Sequence, residues 1–137
     1  MKDSDIAAVL NTVKNIALVG ASDNPSRPSF GVMEYLLRQG YRVFPVSPKL
    51  AGQLLLGQTV YASLDQIPHP VDMVDVFRQP EAAWGVAQQA IAIGARVLWL
   101  QIGVINEQAA VLAGNAGLTV VMDRCPKIEI PRLGLEQ

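Results

Sequence analysis

Cysteine and histidine each occur once, as Cys125 and His69. A lone cysteine cannot close a disulfide within the chain, and one cysteine with one histidine is a poor set for a metal ion. Both fit a reducing, cytoplasmic setting. Charge is sparse at 17 % of residues, and the two signs nearly cancel to a net charge of −1. No overall basic field therefore draws the chain to nucleic acid. No apolar stretch approaches the roughly 20 residues of a membrane-spanning helix. The start, Met1-Lys2-Asp3-Ser4-Asp5, lacks the apolar run of a secretion signal. There is no serine–histidine–acid pattern, no P-loop and no G-x-G-x-x-G, since the next glycine after Gly20 is Gly31.

What remains is a 137-residue chain, half hydrophobic, in which short apolar runs alternate with helical patterns. That alternation predicts βαβ units and one α/β domain over residues 1–137, a Rossmann-like, doubly wound, three-layer fold around a mostly parallel sheet. Strands are expected at Ile16–Val19, Tyr41–Val46, Thr59–Tyr61, Val71–Phe77, Arg96–Leu100 and Leu118–Met122. Right-handed crossovers place these six in the order 3-2-1-4-5-6. Pro45 is expected to interrupt pairing of the second strand. Ser4, Ser29 and Asn106 are read as helix caps, and Pro80 as the opening of a helix that buries Ala83, Trp84, Ala87, Ala90 and Ile91. Trp84 and Trp99 are both read as core. Residues Asp123 to Gln137 are read as a tail packed across the surface.

In such a fold a ligand binds beyond the carboxyl ends of the strands, where the winding reverses, here between the first and fourth strands. Gly20, Ala21 and Ser22 follow the first strand. Glycine lets the backbone approach a phosphate, and Ser22 adds a hydroxyl donor; the plainer reading is a tight turn. Ser47-Pro48-Lys49 follows the second strand, where a site for a free ribose 2′-hydroxyl carries Asp or Glu. A lysine there suits a phosphorylated ribose, as in coenzyme A or NADP, or is a solvated loop charge. Phe77 and Arg78 follow the fourth strand, Phe77 against an adenine or simply in the core. Gln101-Ile102-Gly103 follows the fifth and offers backbone donors where a ligand tail passes, or an ordinary turn. Arg27, Lys49, Arg78 and Arg124 would give these ends a positive rim. Asp72 and Asp75 are expected to bond backbone or an arginine. His69 reads as a surface residue. Cys125 is either a small buried residue or a thiol activated by Arg124 and Lys127.

Taken in order, Val19-Gly20-Ala21-Ser22, Asn24-Pro25-Ser26-Arg27-Pro28-Ser29, Val46-Ser47-Pro48-Lys49, Val74-Asp75-Val76-Phe77-Arg78 and Asp123-Arg124-Cys125-Pro126 resemble the small stand-alone CoA-binding proteins of bacteria. These are similar in turn to the N-terminal CoA-binding domain of the succinyl-CoA synthetase alpha subunit. The resemblance implies that the Gly20 turn and Ser22 hold the CoA phosphates and that Lys49 meets the nucleotide phosphate end. It further implies that Phe77-Arg78 and Gln101-Ile102-Gly103 border the nucleotide and the pantetheine arm, and that Arg27 lies over the phosphates. The synthetase's second domain and phosphorylated histidine have no counterpart here, so the resemblance carries binding and not catalysis. Binding of coenzyme A or acyl-CoA by a cytoplasmic module is the leading expectation. An NADP-dependent oxidoreductase or redox sensor is the alternative, and a mixed disulfide between Cys125 and CoA is a third possibility.

Overall fold

The structure, a computed structural model, describes residues 1–137. Along the chain run α1 (Asp3–Thr12), β1 (Asn15–Val19), α2 (Pro28–Arg38), β2 (Arg42–Val46), β3 (Leu54–Leu55), β4 (Gln58–Thr59), β5 (Met73–Val76), α3 (Ala83–Ala92), β6 (Val97–Leu100), α4 (Glu107–Asn115), β7 (Thr119–Met122) and α5 (Pro126–Arg132). The main sheet has five parallel strands in the order β2-β1-β5-β6-β7. Its central strands are buried at successive positions because helices cover both faces. α1, α2 and α5 enclose one core with Ile16, Leu18, Met73 and Trp99. α3 and α4 enclose the other with Ala17, Val74, Leu98 and Leu100. No helix is long and apolar enough to cross a membrane.

The doubly wound, Rossmann-like arrangement is as expected, but the sheet edge differs. The predicted third strand survives only as one parallel bridge between Tyr61 and Val46. Gln58–Thr59 pairs antiparallel with Leu54–Leu55 instead. Between them Leu56 and Gly57 both have positive φ, 49° and 80°. That is the two-residue turn geometry that closes hairpins, so a local hairpin takes residues assigned to the edge.

Pro45 does not interrupt pairing: the β1–β2 register runs unbroken through Leu18↔Pro45. Its carbonyl accepts the Tyr61 N–H on the outer side, so the missing N–H of the proline also falls on that side. Two helix starts also shift. α1 begins before Ser4, with the Asp5 carboxylate accepting the Lys2 N–H. α2 begins at Pro28, which has no N–H to leave unpaired, so Ser29 is buried inside the first turn rather than capping it. Asn106 does cap α4, its Oδ1 accepting the Ala109 N–H at 2.9 Å. Trp84 is not core: it is 42 % exposed, whereas Trp99 is fully buried. A tight turn over Pro80–Ala82 precedes α3 and sets its phase so that Ala83, Val86, Ala87 and Ala90 face inward.

The end of the chain was expected as an irregular tail and contains a helix. α5 opens with Pro126 in its first turn and buries Glu129 and Ile130. Arg124 donates to Glu129 at 2.7 Å and Arg132 at 3.0 Å, while Arg132 continues to Asp3 at 2.9 Å. The network ties α5 to α1. Burial pushes the Glu129 carboxyl up, but its hydrogen bonds to Arg132 and Arg124 outweigh this and hold it below the ordinary carboxylate range.

Candidate functional site

Strand register decides what lies at the carboxyl end of the sheet. Leu18, Asp75, Trp99 and Val121 form one row across β1, β5, β6 and β7. Side chains alternate between faces, so Gly20, Phe77, Gln101 and Asp123 continue the same face two residues further on. Gly20, Phe77 and Gln101 form the floor of a cleft of about 820 Å³, within the size range of small-molecule sites. Its walls come from the start of α2 (Arg27, Pro28, Ser29, Val32), from Arg78 and Gln79 after β5, from Ile102 and Val104 after β6, and from Cys125 and Ile128 of the α5 region. The cleft sits where the winding of the sheet reverses, between β1 and β5.

Of the residues singled out in the sequence, Gly20, Ser22, Arg27, Phe77, Arg78, Gln101 and Ile102 line this cleft. Ala21, Ser47, Pro48, Lys49 and Gly103 do not. Ala21 is buried at 9 %, and both its N–H and that of Gly20 donate to the Val46 carbonyl. Those two N–H groups are therefore spent on the β2 end and are not free for a phosphate. The same bonds seat the Ser47–Lys49 turn beside the glycine turn. Ser47 is buried, its Oγ accepting the Leu50 N–H, while Lys49 is exposed and in no ion pair. Gly103 donates its N–H to the Asp123 carboxylate at 2.8 Å, and Asp123 takes a left-handed φ of 62° to receive it.

Gly20 has a reason of its own to be glycine. Its φ is +89°, and a Cβ there would lie 2.1 Å from the Phe77 carbonyl oxygen. The close approach that needs glycine is to the neighbouring strand end. Beyond it, Ser22 Oγ accepts the Asn24 N–H, which leaves the hydroxyl proton to donate outward. Asn24 Oδ1 accepts from the Ser26 N–H and hydroxyl, and the Asn24 carbonyl from the Arg27 N–H. This self-bonded turn delivers the chain to α2, where the Ser29 N–H has no partner within the chain, as expected for a helix start.

The charge pattern is narrower than the predicted rim. Arg27 and Arg78 border the cleft, exposed and in no ion pair. Arg124 is bound to Glu129 and belongs to the α5 network. The ionisable residues lining the cleft are Arg27, Arg78 and Cys125. His69 is exposed and stacks on Phe44 with ring centres 5.3 Å apart, away from the cleft. Cys125 is buried at 8 % and free, so its small-buried reading holds, yet it also contributes to the cleft wall.

Polar side-chain atoms of three residues are buried without a partner, and Tyr35, through its hydroxyl, is one of them. Gln101 is 6 % exposed, and its carboxamide oxygen has no donor in the chain. Asp75, one row beneath the floor, is fully buried with neither carboxyl oxygen bonded. The expectation of a backbone or arginine partner fails for it, and desolvation pushes its carboxyl well above the ordinary range. Asp72 meets that expectation: it accepts the Lys14 and Asn15 N–H groups at 2.9 Å each and lies 3.5 Å from Arg96. Burial raises its carboxyl, but the two backbone bonds and Arg96 bring it below the usual value. Val32, Val104 and Ile128 were not singled out from the sequence, and Ser29 was read as a helix cap and not as a site residue. The i, i+3 spacing of Ile130 and Leu133 behind Pro126 was the available sign of the helix that carries Ile128, masked by Pro131.

Fold and cleft thus define a Rossmann-like protein with a candidate site, a cleft of small-molecule size, at the reversal of its sheet. The family described as "CoA binding domain" matches residues 14–131, and the chain belongs to that family. It is 38 % identical to the Bacillus subtilis protein YneT over 125 residues, covering 91 % of each chain. Among solved structures it is similar to a Pyrococcus horikoshii protein (42 % identity, TM-score 0.93, 97 % of this chain and 92 % of that one). It is similar too to a Thermus thermophilus protein (41 % identity, TM-score 0.92, 97 % and 99 %).

Proposed function

We propose that the chain binds coenzyme A or an acyl-CoA in this cleft, as a cytoplasmic binding module without chemistry of its own. The observation that carries the reading is the mixed lining of the cleft. Ser22, the open first turn of α2 and the unpaired Arg27 and Arg78 share it with the apolar Val104, Cys125, Ile102 and Ile128. A phosphate-rich head with a long, weakly polar arm matches both kinds of lining. Gln101 supplies a test of fit. A buried acceptor without a donor is costly, and the amide N–H groups of a pantetheine arm are donors of the missing kind. Lys49, beside the glycine turn but outside the cleft, is assigned to the ribose 3′-phosphate. No carboxylate or histidine lines the cleft, which supports binding without acid–base catalysis.

Calorimetry with CoA, 3′-dephospho-CoA and NADPH tests the reading. CoA should bind most tightly, and loss of the 3′-phosphate and Lys49→Ala should each weaken binding, with little further loss when combined. Tighter binding of NADPH than of CoA would replace this reading with the NADP one. The position of Cys125 in the wall also supports an adduct, in which its thiolate attacks an oxidised CoA disulfide and one CoA thiol leaves. Intact mass measured after exposure to CoA disulfide should then rise by one CoA, and Cys125→Ser should abolish the increase.

A further inference from the structure

Ile102 and Ile128 are 58 % and 52 % exposed, and both line the cleft. They come from separate elements, the loop after β6 and helix α5, and both elements are pinned. Gly103, next to Ile102, is bonded to Asp123. The turn leading into α5 is held by the Trp99 indole N–H on the Arg124 carbonyl at 2.8 Å, and α5 itself by the Glu129 ion pairs. Two branched apolar side chains are thus held in solvent on one cleft, whose lining also includes the buried Val104 and Cys125. Isolated exposed hydrophobics are ordinary, but two that line one cleft mark a surface that is covered when a ligand is present.

Resting on the CoA reading above, we propose that this apolar lining receives the acyl group of an acyl-CoA, and that the group is a neutral aliphatic chain several carbons long. The charges decide against a dicarboxylic acyl group. Arg124, adjacent in sequence to Cys125, is occupied by Glu129. Asp123 is occupied by Gly103 and would repel a second carboxylate. The Lys127 ammonium is directed to α2, where it would stand 3.6 Å from a side chain placed on Gly31. The free arginines of the cleft, Arg27 and Arg78, are taken by the phosphates in the CoA reading. A chain laid between Ile102 and Ile128 removes apolar surface on three sides from water, a gain of about fourfold in affinity per buried methylene.

The experiment compares CoA, acetyl-CoA, hexanoyl-CoA and succinyl-CoA by calorimetry on the whole chain, and repeats the series on Ile102→Ser/Ile128→Ser. Both positions are exposed, so the variant should fold, which its melting curve verifies. The quantity read is the ratio of affinities within each protein. Hexanoyl-CoA should bind the native chain at least about tenfold more tightly than CoA, on the per-methylene gain above, and succinyl-CoA no more tightly than CoA. In the double variant the hexanoyl advantage should fall to about twofold or less, as the apolar contact is lost. Equal affinity for CoA and hexanoyl-CoA, preference for succinyl-CoA, or an advantage that survives the double substitution would overturn the acyl proposal while leaving CoA binding intact. Failure of all four compounds to bind would overturn the CoA reading itself.

Discussion

From Ala82 to Met122 the chain holds two charged residues, Arg96 and Glu107. This stretch builds the α3/α4 side of the sheet, where Ala83, Ala87, Ala90, Ala109 and Ala113 let two helices pack closely over Leu98 and Leu100. The opposite side is made of α1, α2 and α5 and carries Asp3, Asp5, Glu34, Arg38, Lys127, Glu129 and Arg132. It also holds the cleft, the ion network and the orphaned polar atoms of Tyr35, Asp75 and Gln101. One face is held mainly by apolar packing, with the Asn106 side chain bonding Ala109 and Pro80. The other accepts unpaired polar groups under its site and is fastened at its rim by charge. Stability and binding are in this way divided between the two faces, and substitutions should separate them.

The largest effect is expected on the dry face. Leu98→Ala, at a fully buried position, should cost about 2–5 kcal/mol in denaturant unfolding. It should leave CoA affinity nearly unchanged, because the cavity opens on the side away from the cleft. A comparable loss of affinity would break the division.

Gly20→Ala should damage both properties together. Its backbone conformation alone costs about 1–3 kcal/mol with a side chain, and the added Cβ must push the Phe77 carbonyl off the cleft floor. Melting temperature and CoA affinity are both expected to fall.

Asp75→Asn should act with the opposite sign and raise stability at pH 7 by about 1–3 kcal/mol, by removing a carboxyl that is costly to bury. Burial favours the neutral carboxyl of Asp75 in the folded chain, while the unfolded chain releases its proton near pH 4. Its contribution to stability therefore declines as pH rises from about 4 towards its raised folded value. Urea midpoints across pH 4–9 should fall in the native chain more than in the variant, on the same linkage. A destabilised variant would show that the carboxyl has a partner.

Glu129 runs the other way and gives the smallest effect. Its carboxyl is held low, so its stabilisation is fully present above the ordinary glutamate value and is lost as pH falls through the folded one. Glu129→Gln should cost about 1–2 kcal/mol at pH 7 and little at the acid end. Urea midpoints at successive pH values check this. An equal loss at every pH would mean that packing, not charge, fastens α5.

The order of elements was legible in the sequence because apolar runs of four or five residues, separated by capped helical patterns, leave little choice but parallel strands. The Asn106 cap and the buried β5 and β6 followed from local chemistry. Other features depended on neighbours. Residues Thr59–Tyr61 have the composition of a strand, yet the Leu56-Gly57 turn draws the first of them into a hairpin. Trp84 has the composition of core, yet the turn at Pro80–Ala82 rotates it outward. α5 was hidden by Pro126 and Pro131, although a proline in the first turn is compatible with a helix.

By itself the sequence determined the α/β class, the Rossmann-like winding and the end of the sheet at which a site must lie, since periodicity and right-handed crossovers act locally and leave few topologies. It also brought forward the floor of the cleft, Gly20, Phe77 and Gln101, because those residues follow strands directly. Only the tertiary structure decided which of the candidate groups are free. Arg124 is consumed by Glu129, and the N–H groups of Gly20 and Ala21 by Val46, whereas Arg27 and Arg78 are in no ion pair. Only it revealed that Ile102 and Ile128, 26 positions apart, line one cleft. Hydrogen bonds and ion pairs between distant segments are settled by packing, and a residue's chemistry is available to a ligand only after those have been satisfied.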